Sequence, residues 1–255
     1  PLICDGRPVG VLTLASPDRG LQSADLGFVM RVADHTAIAV ENARLYEALR
    51  QTNEAKSDFV SVVSHELRTP MTSIRGYADM LGKGMAGPLS PQQQEFVEAI
   101  RRNTQRMHIL VSDLLDISRI ETGRLKLSQK PVGFGNAVLE ALQMVGEQRA
   151  EKQQSVSVDM PEALPPAHTD PDRLTQILIN LLSNAIKYTP AQGHIRVKAW
   201  LPDEEPDFIH CLVSDNGIGI APEDQARLFT KFFRVDNPVV REQPGSGLGL
   251  AITKS

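Results

Sequence analysis

The chain has 255 residues, enough for roughly two domains at ~150 residues each, and its 41% apolar and 23% charged residues exclude wholesale disorder. A net charge of −4 argues against general nucleic-acid binding, which needs a basic surface. No apolar run approaches the ~20 residues that cross a bilayer, so no membrane contact is expected from these residues. Cys4 and Cys211 are the only cysteines and lie far apart, which excludes a disulfide framework or a Cys-rich zinc site and fits a reducing cytoplasm. A start at Pro1 without a signal-peptide pattern, and a stop at Ser255 inside a helical pattern, read as a piece of a longer protein.

In chain order, residues 1–16 read as strand and turn. Asp5-Gly6 is a hairpin signal and Val9 to Leu14 a strand run. From about Asp25 to about Gly82 the pattern is helical. Within it Ile38, Asn42, Leu45, Leu49, Thr52, Lys56, Phe59 and Val63 alternate at spacings of four and three. One amphipathic helix on a globular core satisfies this spacing. The length and the charge-rich stretch from Arg50 to Lys56 fit better a parallel dimeric connector, with polar seam residues that fix register at a cost in stability. Gly82 to Pro88 is a loop. Ser90-Pro91-Gln92-Gln93 then opens a second helix with an N-cap, a proline at the first position and a capping box. Ile100, Asn103, Met107, Leu110, Leu114 and Ile117 form its stripe, and Gly123 ends it. One helical hairpin cannot cover both of its apolar faces, so two should pair as a four-helix bundle.

After Lys130-Pro131 the texture becomes mixed. A helix is expected over 134–153, a strand over 155–158, and a helix from Asp170-Pro171 to about Tyr188. Strands are expected over 195–201 and 208–213. This order predicts a sheet with helices on one face, so the whole is α+β: a long helical hairpin followed by an α/β sandwich.

Four constellations carry chemistry. In Ser64-His65-Glu66-Leu67-Arg68-Thr69-Pro70, the heptad register puts His65 at a solvent-facing position. Neutral imidazole is a nucleophile near pH 7, and Glu66 can act as its base. Thr69 lies one turn on, where its hydroxyl can orient a water, and Pro70 should loosen or kink the helix. A lone exposed histidine is usually plain surface. In Asn180 to Pro190, helical spacing places Asn180, Asn184, Lys187 and Tyr188 on one face. An amide oxygen can ligate magnesium when phosphates supply the other oxygens, and a lysine can neutralise phosphate. Otherwise this is a polar helix face, for which asparagine is a weak helix former. Asp215-Asn216-Gly217-Ile218-Gly219 follows a strand. It is a turn, or a place where a carboxylate accepts from an exocyclic amine while glycines let the base approach. Gly245-Ser246-Gly247-Leu248-Gly249-Leu250 opens the last helix, where backbone N–H groups suit phosphate oxygens. It is neither a P-loop nor a dinucleotide fingerprint. Between the last two lie Phe229, Phe232, Phe233 and Arg234, which read as core or as a clamp for a lid over 236–246, with an arginine able to reach a phosphoryl group.

Together these segments resemble a sensor histidine kinase of bacterial two-component systems. Ser64–Pro70 resembles the H box, Asn180–Pro190 the N box, Asp215–Gly219 and Gly245–Leu250 the two G boxes, and Phe229–Arg234 the F box, all in family order over about 58–255. Residues 1–45, with Gly10-Val11-Leu12 and Ala37 to Ala43, resemble the tail of a GAF sensor domain. The resemblance implies a GAF remnant over 1–40, a signalling coiled coil over 41–57, a dimerisation and histidine phosphotransfer domain over 58–128, and a Bergerat-type ATP-binding domain over 129–255. That last domain stops short of the family's closing strands. By the same resemblance His65 is the phosphoacceptor, Glu66 its base and Thr69 a phosphatase residue. Asn184 binds Mg2+, and Asn180, Lys187 and Tyr188 lie near the phosphates. Asp215 reads adenine beside Gly217 and Gly219. Phe233, Gly245, Gly247, Leu248 and Gly249 belong to the nucleotide site, and Arg234 stabilises the transferred phosphoryl. The implied cofactors are ATP and Mg2+, and the implied partners a second copy of the chain and a response-regulator receiver domain. Another Bergerat-fold ATPase explains the later motifs but not His65-Glu66. A non-catalytic dimeric scaffold is the third reading, distinguished by acid-labile phosphate appearing on the protein with ATP.

Overall fold

The structure is a computed structural model that describes residues 1–13, 23–161 and 163–255. These divide by their contacts into Pro1–Val62 and Val63–Ser255. In the first unit, strands β1 (Leu2–Cys4) and β2 (Arg7–Gly10) form an antiparallel hairpin around Asp5-Gly6, both at positive φ. Leu2 and Val9 pack on Ala37 of helix α1 (Ser23–Gly82), so the hairpin covers one stripe of that helix. The predicted strand to Leu14 is shorter than expected. It ends at Gly10, exposed Val11 and Leu12 follow, and Leu14 lies outside the described residues. The heptad positions Ile38, Leu45, Leu49 and Phe59 are exposed.

α1 runs through Pro70 without interruption. Proline removes one N–H, which leaves the Glu66 carbonyl without its helical donor. Around that gap the hydroxyls of Thr69, Thr72 and Ser73 donate to the carbonyls of His65, Arg68 and Thr69, so the helix backbone stays hydrogen-bonded on either side. In the second unit, the far end of α1 is followed by a turn and α2 (Pro91–Glu121). Its start is as predicted. Ser90 Oγ accepts from the Gln93 N–H at 3.3 Å, and Gln93 Oε1 accepts from the Ser90 N–H at 2.8 Å. Arg101 Nε meets Asp79 at 2.8 Å and Arg75 donates to Gln105, tying the two helices of the hairpin together.

The rest of the second unit is the α/β layer. β4 (Ser155–Asp159), β6 (His194–Trp200) and β7 (His210–Asp215) form one sheet in the order β4-β6-β7, the first pair parallel and the second antiparallel. Along β6 the residues alternate, with Ile195, Val197 and Ala199 buried and the side chains between them outward. The buried set packs against α3 (Phe134–Met144) and α5 (Pro171–Tyr188) through Val138, Ala141, Leu178, Leu182 and Ile186. Asp170 caps α5, accepting from the N–H groups of Asp172, Arg173 and Ser128. These bonds, Ser128's first, hold its carboxyl below the ordinary carboxylate range.

Three differences from expectation have local causes. The single helix over 134–153 is two, α3 and α4 (Gly146–Glu151), because Val145 is buried in a bent conformation ahead of a glycine. The last strand starts at His210, not Phe208, which is exposed, and it carries Asp215 as its final residue. The short strands β3 (Lys130–Val132) and β5 (Ala167–Thr169) pair antiparallel and were not expected, since three residues carry too little periodicity to show. Short helices α6 (Pro222–Gln225), α7 (Pro238–Glu242) and α8 (Gly249–Lys254) follow.

Candidate active site

On α1, Ser64, Met71 and Ala78 recur every seven residues and are buried. That register turns the next position outward, and the His65 and Glu66 side chains are 77% and 78% exposed. His65 Nδ1 stands 3.7 Å from Glu66 Oε1, close enough to attract but beyond hydrogen-bond range. The Thr69 hydroxyl, one turn on, donates to the His65 carbonyl at 3.5 Å, so in this arrangement it is turned along the helix.

The second group gathers at one open cleft. Asn180, Asn184, Lys187 and Tyr188 on α5, Asp215 at the end of β7 and Gly219 beyond it, Phe233 and Arg234, and Gly245, Gly247 and Gly249 all line it. His65, Glu66 and Thr69 do not line it, and neither do Gly217 or Leu248. Gly217 lies behind the lining. A Cβ there would stand 2.4 Å from the Tyr188 carbonyl oxygen, so only glycine lets the Asp-Asn-Gly turn sit against the end of α5. Gly247 has φ +70, and its Cβ would meet the Phe232 and Phe233 backbone at 2.8 Å. Leu248 turns its side chain away from the cleft into a cluster with Ile117, Ala251 and Ile252.

Several of these side chains are already tied. Asn180 Nδ2 donates to the Gly249 carbonyl at 3.3 Å. Asp215 Oδ1 accepts from the Gly217 N–H at 2.9 Å, which leaves its second oxygen for another donor. The Arg234 guanidinium donates to the carbonyls of Val240, Gln243 and Gly245, and so organises the 237–245 segment. Phe233 lies under the Arg227 guanidinium at 4.4 Å, while Phe229 and Phe232 are exposed. Burial first, and then the Arg234 charge, lowers the Lys187 pKa, against the pull of Asp113.

Asp113 is one of a group that the sequence reading missed. On α2 the buried carboxylates Asp113 and Asp116 stand beside the apolar stripe three residues apart, the one signal that could have exposed them. Asp113 accepts from the Ser246 hydroxyl at 3.1 Å. Asp116 accepts from Arg173 at 2.7 Å and from Gln176 at 2.9 Å. Lys231 pairs with Glu121, and Ile117 packs on Leu248. α2 is therefore docked on both the start of α5 and the glycine-rich segment. Burial raises the Asp113 pKa. Ser246 opposes that rise, Asp116 adds to it, and Lys187 opposes it.

The donor set is suited to a nucleotide with a divalent cation. Among the described residues no group of three or more His, Cys, Asp or Glu could hold a metal, so an ion here needs oxygens from a bound ligand. Asn184 offers one amide oxygen, and the glycine-rich segment leaves room for a backbone-bound anion.

Residues 55–123 match the family described as "His Kinase A (phospho-acceptor) domain", and residues 169–255 the "Histidine kinase-, DNA gyrase B-, and HSP90-like ATPase" family. The circadian input-output histidine kinase CikA of Synechococcus elongatus is 33% identical over all of this chain and 37% of its own length. Sensor histidine kinase WalK of Bacillus subtilis is 34% identical over 83% of this chain and 34% of its own. The crystal structure of full-length ShkA in complex with AMPPNP superposes with a TM-score of 0.63 at 29% identity, covering 77% of this chain and 40% of that one. The chain thus spans little more than a third of the length of these curated relatives. No helix among the described residues is long and apolar enough to cross a membrane. Two family matches that together take in more than half of the residues, and histidine kinase relatives aligned across both, show that the chain belongs to the sensor histidine kinases of two-component systems.

Proposed function

We propose that this chain is the catalytic part of a cytoplasmic ATP-dependent protein histidine kinase that phosphorylates itself on His65 and passes the phosphoryl group to an aspartate of a receiver domain. The observation that carries the reading is the exposed His65–Glu66 pair on a helix of one domain together with a glycine- and asparagine-lined cleft in the next. Glu66 lies on the Nδ1 side of the imidazole. As base it takes the Nδ1 proton, which leaves Nε2 to attack the γ-phosphorus while the bond to the β-phosphate oxygen breaks. Asp215 receives the adenine amine, Asn180, Lys187 and Tyr188 face the phosphates, and Gly245, Gly247 and Gly249 give them backbone N–H groups. Mg2+, held by Asn184 with the nucleotide's own oxygens, supplies charge neutralisation. Arg234 reaches the transferred phosphoryl only after leaving the carbonyls it now holds.

In the same reading residues 58–128 are the dimerisation and phosphotransfer domain and residues 129–255 the ATP-binding domain, with a coiled-coil connector over 41–57 and a GAF remnant over 1–40. Leu67, Ile74 and Tyr77 on α1 and Ile100, Met107 and Leu110 on α2 are exposed apolar side chains of the kind that a second copy would bury. Thr69 serves the reverse reaction on the receiver. Incubation with labelled ATP tests the assignment. Wild type should gain acid-labile, base-stable phosphate, and His65→Gln should gain none while binding ATP as tightly as wild type. Labelling retained in His65→Gln defeats it.

A further inference from the structure

The last turn of a helix leaves carbonyls without helical donors. At the end of α5 two side chains from the segment between α4 and β4 fill that need. Lys152 Nζ donates to the carbonyls of Ile186 and Lys187, both at 2.8 Å, and of Thr189 at 3.1 Å. The buried Gln154 amide nitrogen donates to Ile186 at 3.1 Å, Thr189 at 2.8 Å and Pro190 at 3.2 Å. Three carbonyls around one nitrogen fix which way that amide points. A cation here also suits the negative end of the α5 dipole.

In the run from 186 to 190, these two side chains bond every carbonyl except that of Tyr188. The Tyr188 carbonyl accepts instead from the Ile218 N–H at 3.2 Å, inside the Asp215–Gly219 turn. The same oxygen is the atom that a Cβ on Gly217 would strike. Core packing of Leu182, Ala185 and Ile186 holds the body of α5, which carries Asn180 and Asn184. The 188–190 end, beyond that packing, is what Lys152 and Gln154 hold.

We propose that Lys152 and Gln154 are positioning residues for base recognition: by capping the end of α5 they fix the Tyr188 carbonyl, and through it the Asp215 carboxylate. The inference rests on the reading of Asp215 as the adenine contact. Removing either cap should therefore weaken the base side of the cleft more than the phosphate side.

The experiment compares ATP with inorganic triphosphate as ligands of the full 255-residue chain. In wild type ATP should bind more tightly, and Asp215→Asn should remove that preference. In Lys152→Met and Gln154→Met the preference should fall about tenfold, the size expected when buried carbonyls lose their donors. Lys152→Arg, which keeps donors at the same place, should retain it. Amide exchange at Ile218 should quicken in the Met variants while exchange along β6 stays slow. A purely structural role would lower the melting temperature and leave the ATP-to-triphosphate ratio where it was. If Gln154→Met melts below the assay temperature, Lys152→Met carries the test. A preference absent from wild type, or unchanged in Asp215→Asn, overturns the adenine reading. A preference lost in Asp215→Asn but kept in the Lys152 and Gln154 variants overturns the positioning role.

Discussion

The helix face that carries His65 and the cleft lined by Asn180, Asn184 and Asp215 are built in opposite ways. His65 stands in solvent, its acidic neighbour 3.7 Å away and the nearby hydroxyl turned along the helix. In the cleft Asn180, Asp215 and Arg234 each carry at least one hydrogen bond to the backbone around them. In the proposed reading the acceptor is thus presented, while the donor site is pre-organised. The geometry of transfer has to be completed when the two meet, which is where most of an effective-molarity advantage arises. Substitutions on the acceptor helix should alter chemistry and spare stability, and those in the cleft and its braces should alter binding or stability first.

The largest effect belongs to the acceptor side. Glu66→Ala should lower autophosphorylation by ~10²–10⁴-fold, the usual worth of a positioned base, with the melting temperature unchanged because the side chain is exposed. Thr69→Ala should spare autophosphorylation and slow receiver dephosphorylation. If both variants fail in the same assay, the two residues do not divide the chemistry, and the comparison loses its first arm.

Next comes Gly217→Ala. A methyl group 2.4 Å from a backbone carbonyl must push the turn off the end of α5, at a cost of about 3 kcal/mol, or on the order of a hundredfold in ATP affinity. Isothermal titration with ATP measures it. Unchanged affinity would mean that the turn is free to move and that the cleft is less rigid than its hydrogen bonds indicate.

Both halves were legible for different reasons. The capping box at Ser90, the Asp170 cap and the alternation along β6 are local signals, and each is realised at the expected residue. The cleft was legible because its residues sit on one face of α5 or in glycine turns, where spacing dictates direction. What escaped is what tertiary contacts decide. Pro70 signalled a lost donor, but not that the helix would run on through it to Gly82. Arg234 looked free to reach a ligand, but the carbonyls of Val240, Gln243 and Gly245, six to eleven positions further along the chain, hold it. Lys152, Gln154, Asp113 and Asp116 act on residues at least 32 positions away, and no periodicity announces such a pairing.

The braces between α2 and the cleft should respond more modestly. Asp116→Ala removes the carboxylate that Arg173 and Gln176 share. The Asp116 side chain is 7% exposed and that of Arg173 29%, so the orphaned guanidinium can partly recover water. The loss should be about 2 kcal/mol, below the 3–5 typical of a fully buried pair. Urea unfolding followed by Trp200, the single tryptophan and a β6 residue, reports it. No change would show that the pair merely accompanies the docking of Ile117 on Leu248.

Asp113→Asn should have the smallest effect, and its sign depends on pH. Burial raises the Asp113 pKa, so the folded protein favours the protonated carboxyl. Its contribution to stability is complete below the ordinary carboxylate value of about 3.9 and is lost as pH rises through the elevated folded value. An asparagine stays neutral throughout and keeps a polar group facing the Ser246 hydroxyl. The stability of the variant relative to wild type should therefore increase as pH rises from about pH 4 through the elevated folded value, and then level off. Of the charges facing this carboxyl, Asp116 pushes in the same direction as burial, and Lys187 pulls the other way. The unfolding free energies of the two proteins, measured across that range, decide between them. If the variant instead loses ground as pH rises, the Lys187 ammonium outweighs burial, and Asp113 is a stabilising counter-ion at the edge of the nucleotide cleft.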